Sequence, residues 1–394
     1  MDYDFDAIIV GGGPGGATAA LVAGRLGLRV LLLDAARFPR DKICGDAIPF
    51  RALALAEELG LGEALQSVPH ARAGGLSMFT RDERLRVPYA PRRLLVCRRA
   101  HFDAVLFRAA ASVVEAREEH RVTGLLRTPS GQVCGVAGEA AGGAFSHTAR
   151  VVVGADGFKS IVARELGVYA RAPEHWAVAT RVYYRGVSLP AFDTEIHYLN
   201  PGRPDYLWIF PVDADTVNVG VGRIVGRGPA RPSLRALHEQ LVAGPALARR
   251  FARARPTSDL RGWNLPLASR RRVVHGDGFL LVGDAAGLVD PAYGHGVDTA
   301  MISGQLAATV LAEVCRGSDY GAGALAAYAD GVWAQLGPGF EEAMAIRACF
   351  GEVDPVDPVD PVEGTEPWRP LARLNAALFA GAGELARVQK PGAT

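Results

Sequence analysis

Glycines set between apolar runs, with one acid beyond them, carry the first chemical signal in this chain. Gly11-Gly12-Gly13-Pro14-Gly15-Gly16 follows Ala7-Ile8-Ile9-Val10, and Gly11, Gly13 and Gly16 fit the pattern G-x-G-x-x-G. Without a Cβ, Gly11 suits a tight turn and Gly13 lets the backbone approach a pyrophosphate. Gly16 lets the following helix pack closely on its strand. The start of that helix, just after Gly13, offers free N–H groups and a positive dipole end to phosphates. Asp34 ends the next apolar run, Val30-Leu31-Leu32-Leu33, 18 residues past Gly16. A carboxylate there accepts hydrogen bonds from ribose hydroxyls. Together these features predict an adenine-dinucleotide site, against the plainer reading of a structural glycine turn.

Three other groups could do chemistry. Cys44 stands in the polar loop Arg37-Phe38-Pro39-Arg40-Asp41-Lys42-Ile43-Cys44-Gly45-Asp46. A loop leaving the second strand of a doubly wound sheet sits near the crevice where ligands bind. Lys42 or Arg40 nearby would favour the thiolate, so Cys44 is a candidate acid or thiolate, the alternative being an ordinary connection. Asp156 lies in Gly154-Ala155-Asp156-Gly157 at the end of the run Val151-Val152-Val153; it faces a ligand or caps a helix. A second strand–glycine–helix unit is Gly283-Asp284-Ala285-Ala286-Gly287, continuing through Asp290-Pro291 and Gly294-His295-Gly296. Its acid suits sugar or ribityl hydroxyls, and its loop can present N–H groups to a ring oxygen.

The elements that must position these residues follow from patterning. The 394 residues suggest two to three domains. Alternation predicts a hairpin over 74–89 and antiparallel strands near Trp176–Val187, Asp193–Leu199, Asp205–Phe210 and Thr216–Ile224, with Asp213-Ala214-Asp215 as the last turn. Tyr206, Trp208 and Phe210 then share one face, as the floor of an apolar pocket or as sheet core. Residues 231–255 read as helical, and a small-residue helix starts near Val297. The fold class is α/β: a Rossmann-like nucleotide domain over 1–70, 92–168 and 265–315, an inserted antiparallel sheet over 71–91 and 169–264, and a C-terminal helical region over 316–394. An Asp-Pro-Val repeat at 354–361 reads as a stiff linker. Leu371, Leu374, Leu378 and Phe379 put an apolar face on the tail, which caps the core or touches a membrane or partner.

Composition removes several classes. Basic residues number 43 against 42 acidic, for a net charge of +1, so there is no electrostatic footprint for nucleic acid. Only Lys42, Lys159 and Lys390 are lysines; the other basic residues are arginines, a bias that looks compositional. Five scattered cysteines show no metal spacing and suggest a reducing cytosol. No signal peptide is evident, and no stretch reaches the roughly 18 apolar residues of a membrane span. The expected location is therefore cytoplasmic.

The fingerprints at Gly11–Gly16 with Asp34, Gly154–Gly157 and Gly283–Gly296 resemble the flavoprotein superfamily of p-hydroxybenzoate hydroxylase type. Within it, Lys42-Ile43-Cys44-Gly45-Asp46, Tyr206-x-Trp208-x-Phe210-Pro211 and Gly-Asp-Ala-Ala-Gly with Ser303-Gly304 resemble the geranylgeranyl reductase family, over about residues 5 to 310. The resemblance implies FAD, with Gly11, Gly13, Gly16 and Asp34 on the ADP half. It implies Arg99 near flavin and pyrophosphate, Asp284 after Gly283 on the ribityl or pyrophosphate, and Pro291, Gly294 and Gly296 at the isoalloxazine edge. It puts Cys44 near the flavin, facing substrate, and makes Cys44, Asp46, Tyr206, Trp208 and His295 the candidate catalytic residues. His295 stands where these reductases often carry an acid, and Val212 where a lysine is frequent.

The expected reaction is hydride transfer from reduced flavin to a C=C bond of a prenyl or polyene-like apolar substrate. Electrons would come from transiently docked NAD(P)H or a separate donor, since no second nucleotide-binding unit is evident. A monooxygenase acting on an aromatic or alkene is the rival, although the histidine common after Ala286 in hydroxylases is missing. A halogenase is a third reading, with Tyr-x-Trp in place of Trp-x-Trp. A flavin-binding or carrier-interaction protein without turnover is a fourth.

Overall fold

The computed structural model describes residues 2–79, 84–89, 92–169, 172–200, 203–226 and 231–349. The Asp-Pro-Val repeat and the apolar tail lie outside these residues.

The first sheet grows from the buried run Phe5–Val10. Its side chains from Ala7 to Val10 are almost fully covered on both faces, as a central parallel strand requires. It pairs in parallel with Val30–Leu33 on one side and with the end of Gly143–Gly154 on the other. Glu115–Arg117 and Phe279–Leu281 extend the parallel layer at the two edges. Arg121–Arg127 and Val133–Ala140 add an antiparallel flap to the near half of Gly143–Gly154. The strand order places Val10, Leu33, Gly154 and Leu281 at one carboxyl edge. Every loop singled out for phosphate or sugar contact leaves from that edge.

Helices Pro14–Arg25 and Val297–Val314 lie side by side over this sheet. Small residues let them approach. A Cβ on Gly304 would run into the Gly15 carbonyl, and one on Gly16 into the Gly11 carbonyl. Gly16 therefore serves the closure of its own turn more than packing on the strand. Helix Ala322–Cys349 packs behind Val297–Val314 and runs through Pro338.

The second sheet holds Trp176–Arg185, Thr216–Val225, Arg203–Pro211 and Thr194–Asn200 in antiparallel neighbours. Gly75–Phe79 and Arg84–Pro88 form the expected hairpin and join this sheet. The joint is parallel, Gly75–Phe79 against Thr194–Asn200, so the sheet is mixed rather than wholly antiparallel. Arg261–Pro266 closes the far side against Trp176–Arg185. The helical stretch expected over 231–255 is two helices, Leu234–Ala243 and Ala248–Phe251, because Gly244-Pro245 interrupts it. They cover the face of the sheet opposite the cavity, packing Leu247 and Phe251 on Leu207, Ile209 and Val219. Among the described residues no helix is long and apolar enough to cross a membrane.

Candidate active site

A cavity of about 690 Å³ runs from the glycine edge of the first sheet to the inner face of the second. One end is built at Gly11, Gly13, Pro14 and Gly15, with Asp34 beside them. Gly11 has φ +103°, a region closed to most side chains, and a Cβ there would strike the Ala155 carbonyl. A Cβ on Gly13 would meet only the Arg40 guanidinium, in ordinary contact at 3.5 Å. Helix Pro14–Arg25 starts without a side-chain cap, so its first N–H groups are left for a ligand. Asp34 accepts from Gly12 N at 2.7 Å and Ala36 N at 2.8 Å, one bond to each oxygen. That fixes the carboxylate and leaves lone pairs on both oxygens for a ribose. His120, Arg121, Val122 and Thr123 also line this end, carried there because His120 N donates to the Asp34 carbonyl. Their sequence gave no sign of it.

The middle of the cavity is charged. Arg99 is buried at the start of helix Arg99–Ala111 and grips Asp103 through two bonds, Nε at 2.5 Å and Nη2 at 2.9 Å. Arg40 adds a third contact to Asp103 at 3.1 Å. Arg40 is thus spent on a carboxylate rather than on Cys44. Lys42 packs its Nζ over the Trp263 ring, 3.8 Å from the centroid. Asp156 lines the cavity, but its carboxylate caps the following turn, accepting from Ser160 Oγ and Ile161 N at 2.6 Å each. The capping alternative describes that side chain. Gly283, with φ +56°, and Asp284 also line the cavity, on a turn packed against Gly157–Lys159.

The loop 40–46 is held by a hydrogen-bonded network from the second sheet. Asp46 has φ +68° and is fully buried. Its carboxylate accepts from Tyr183 Oη at 2.6 Å, Asn218 Nδ2 at 2.8 Å and Arg99 N at 3.2 Å. Burial nevertheless holds its pKa above the ordinary value. Asn218 also donates to the Cys44 carbonyl at 2.7 Å, and Trp208 Nε1 donates to Asn218 Oδ1 at 2.8 Å. Trp208 and Asp46 are therefore joined through Asn218, and together they set the position of Cys44. The Cys44 thiol is free and half-buried on the cavity wall, next to Arg99. Asp41, at the head of the loop, pairs with the buried Arg181 at 2.6 Å.

The far end is apolar and aromatic. Tyr206, Trp208 and Phe210 line it in one row, with ring centroids 6.0 and 6.3 Å apart, joined by Ile196, Tyr198 and Tyr293. The row is both pocket floor and core: Tyr206 and Phe210 pack on a buried cluster that includes Met78 and Ile196. Tyr206 Oη donates to the Tyr293 carbonyl at 2.7 Å, which ties the floor to the loop 290–296.

That loop carries His295. Its Nδ1 lies 3.0 Å from Asp298 Oδ1 and its Nε2 3.6 Å from Asp290 Oδ2. Burial works against the imidazolium, but the two carboxylates outweigh it and raise the pKa to about 9. His295 therefore holds a proton at neutral pH. Gly294 and Gly296 line the cavity, and Gly294 takes φ +70°. Pro291 and Gly16 do not reach the cavity surface; Pro291 shapes the turn in which Asp290 accepts from Ala292 N and Tyr293 N. Helix Val297–Val314 starts at Gly296 with no side-chain cap bond, so a second set of free N–H groups opens on the same chamber. Sequence reading missed Trp263 and Tyr198, which line the cavity from strands with no motif of their own, and Lys159, two residues past the Gly154–Gly157 fingerprint.

Two helix N-termini of helices 12 and 18 residues long, a glycine turn with an acid beyond it, and a chamber reaching an apolar wall define a dinucleotide-binding oxidoreductase site. The chain belongs to the family described as FAD binding domain, matched over residues 4–330, and within it to the geranylgeranyl reductase family of FAD-dependent oxidoreductases. A menaquinone reductase of Mycobacterium tuberculosis is 31% identical over 338 residues, 79% of this chain and 77% of that protein. Digeranylgeranylglycerophospholipid reductase 1 of Methanopyrus kandleri is 30% identical over 358 residues, 89% of this chain and 92% of that one. A geranylgeranyl bacteriochlorophyll reductase-like protein of Thermoplasma acidophilum shares the fold with TM-score 0.81 at 21% identity, covering 93% of this chain and 96% of its own. A flavin-dependent brominase shares it with TM-score 0.76 at 24% identity, over 96% and 94%. FAD is the cofactor, and the residues present fit it: uncapped N–H groups and Cβ-free backbone meet where a pyrophosphate is needed.

Proposed function

We propose that this FAD-dependent oxidoreductase reduces a C=C bond of an apolar, prenyl- or polyene-like acceptor. The supporting observation is the continuity of the chamber, which opens the charged nucleotide end directly onto the row Tyr206, Trp208 and Phe210. When bound and reduced, FAD supplies the hydride. The chain does the rest. Gly11, Gly13, Pro14 and Gly15 hold the pyrophosphate, with Arg99 alongside and Asp34 on the ribose. Asp284 takes the ribityl or pyrophosphate, and the uncapped helix start at Gly296 presents N–H groups to the ring. The aromatic row aligns the acceptor and excludes water. His295, kept protonated by Asp298 and Asp290, and the Cys44 thiol stand at the junction as proton donors to the second carbon. Asp46 acts through Cys44 as a positioning residue, since its carboxylate is engaged by three donors. NAD(P)H or a separate electron carrier reduces the coenzyme.

The relatives named as reductases favour this reading over oxygen chemistry on the same fold. Product mass tests it. Turnover of an isoprenoid panel under argon, with the coenzyme kept reduced, is expected to give a product heavier by two hydrogens. A product that forms only in air and carries a new oxygen or halogen would instead identify the monooxygenase or halogenase reading.

A further inference from the structure

We propose that Lys42 is the cation that pairs with the reduced, anionic flavin and so raises the reduction potential of the bound coenzyme. The proposal rests on FAD being the cofactor and is independent of which acceptor is reduced.

Of 43 basic side chains, three are lysines. Two of them line this one cavity, and both approach one ring: Lys42 Nζ lies 3.8 Å and Lys159 Nζ 5.7 Å from the Trp263 centroid. Elsewhere the chain uses arginine, whose charge is permanent. Lys42 is half-buried, and among the described residues it forms no ion pair. A cation resting on an aromatic face, with no carboxylate in ion-pair contact, is a charge waiting for an anion. The anions due in this chamber are the pyrophosphate and the reduced ring. The nucleotide end already supplies the uncapped helix start at Gly13 for the first, and the other cation near the ring, His295, is already held by Asp298 and Asp290.

The groups facing Lys42 are few. Asp284 comes from the turn Gly283–Ala286, Arg99 and Asp103 from helix Arg99–Ala111, and Cys44 from its own loop. Lys159 shares the tryptophan from the turn Gly157–Lys159. Asp103 is taken by Arg99 and Arg40. Desolvation pushes the Lys42 ammonium down to about 8, with Arg99 adding to the fall and Asp284 opposing it. A reduced, negatively charged ring would hold the proton on, so reduction above that pH takes up an extra proton.

The test uses the purified FAD-bound protein without acceptor. The midpoint potential is measured against pH for the wild type, Lys42→Met and Lys42→Arg, together with FAD affinity in both redox states. Lys42→Met should weaken reduced relative to oxidised coenzyme about tenfold, a fall of about 30 mV for a two-electron couple. Lys42→Arg should keep the potential at neutral pH but lose the steeper fall that the wild type shows above pH 8, because guanidinium cannot deprotonate there. Equal weakening of both redox states by Lys42→Met, with the potential unchanged, would make Lys42 a phosphate anchor and overturn the proposal. If Lys42→Met does not fold, Lys42→Arg decides: an arginine variant whose potential tracks the wild type above pH 8 overturns it as well.

Discussion

Asn218 shows how single side chains set this site. It touches neither glycine loop, yet its amide nitrogen serves both the Cys44 carbonyl and Asp46, and its oxygen receives Trp208 Nε1. Asn218→Ala leaves three buried partners short and should cost about 1–3 kcal/mol, read by denaturant titration. Because it frees the Cys44 loop, kcat should fall more than FAD affinity. Cys44→Ser separates chemistry from packing: FAD binding should persist while turnover drops, and unchanged turnover would remove the thiol from the mechanism. His295 makes the pH prediction. Its folded pKa, about 9, lies above the unfolded value near 6.5. Its contribution to stability is therefore fully present below pH 6.5, declines through that window and is gone above pH 9. His295→Gln should flatten the pH dependence of unfolding free energy between those limits, while the wild type loses stability across them.

At the level of elements, two glycine contacts decide whether the nucleotide cleft forms. Gly304 sits where helix Val297–Val314 crosses Pro14–Arg25, its α-carbon facing the Gly15 carbonyl. Gly304→Ala should push the helices apart, cost about 1–3 kcal/mol and raise the FAD dissociation constant, because both uncapped N-termini shift with their helices. Gly11→Ala should be worse, since it combines a disallowed φ with a backbone collision. These elements were readable from the sequence because their signals are local: an apolar run, then glycines, then small residues. The hairpin Gly75–Phe79 and Arg84–Pro88 was readable from alternation. Its parallel partner Thr194–Asn200 was not, since a pairing across more than a hundred residues leaves no periodicity behind. The same holds at the site. Lys42 to Asp46 form one loop and announce themselves. Tyr183, Asn218 and Trp263 arrive from three separate strands, and only the folded sheet brings them to that loop.

For the molecule as a whole, the two sheets contribute different physics to one chamber. The parallel sheet ends in free N–H groups and glycines, which suit phosphate; the mixed sheet turns an aromatic face inward, which suits hydrocarbon. Coenzyme binding should therefore stabilise the whole fold. At a hundredfold excess over the dissociation constant the gain is about 2.7 kcal/mol, visible as a rise in melting temperature that Gly11→Ala abolishes. The most direct measurement of the central claim is anaerobic: the reduced flavoprotein is mixed with a neutral isoprenoid and the flavin absorbance is followed. Reoxidation in step with one saturated bond per flavin is the predicted result. A flavin that stays reduced against every isoprenoid under argon, yet reoxidises at once in air with oxygen delivered to the substrate, would contradict it.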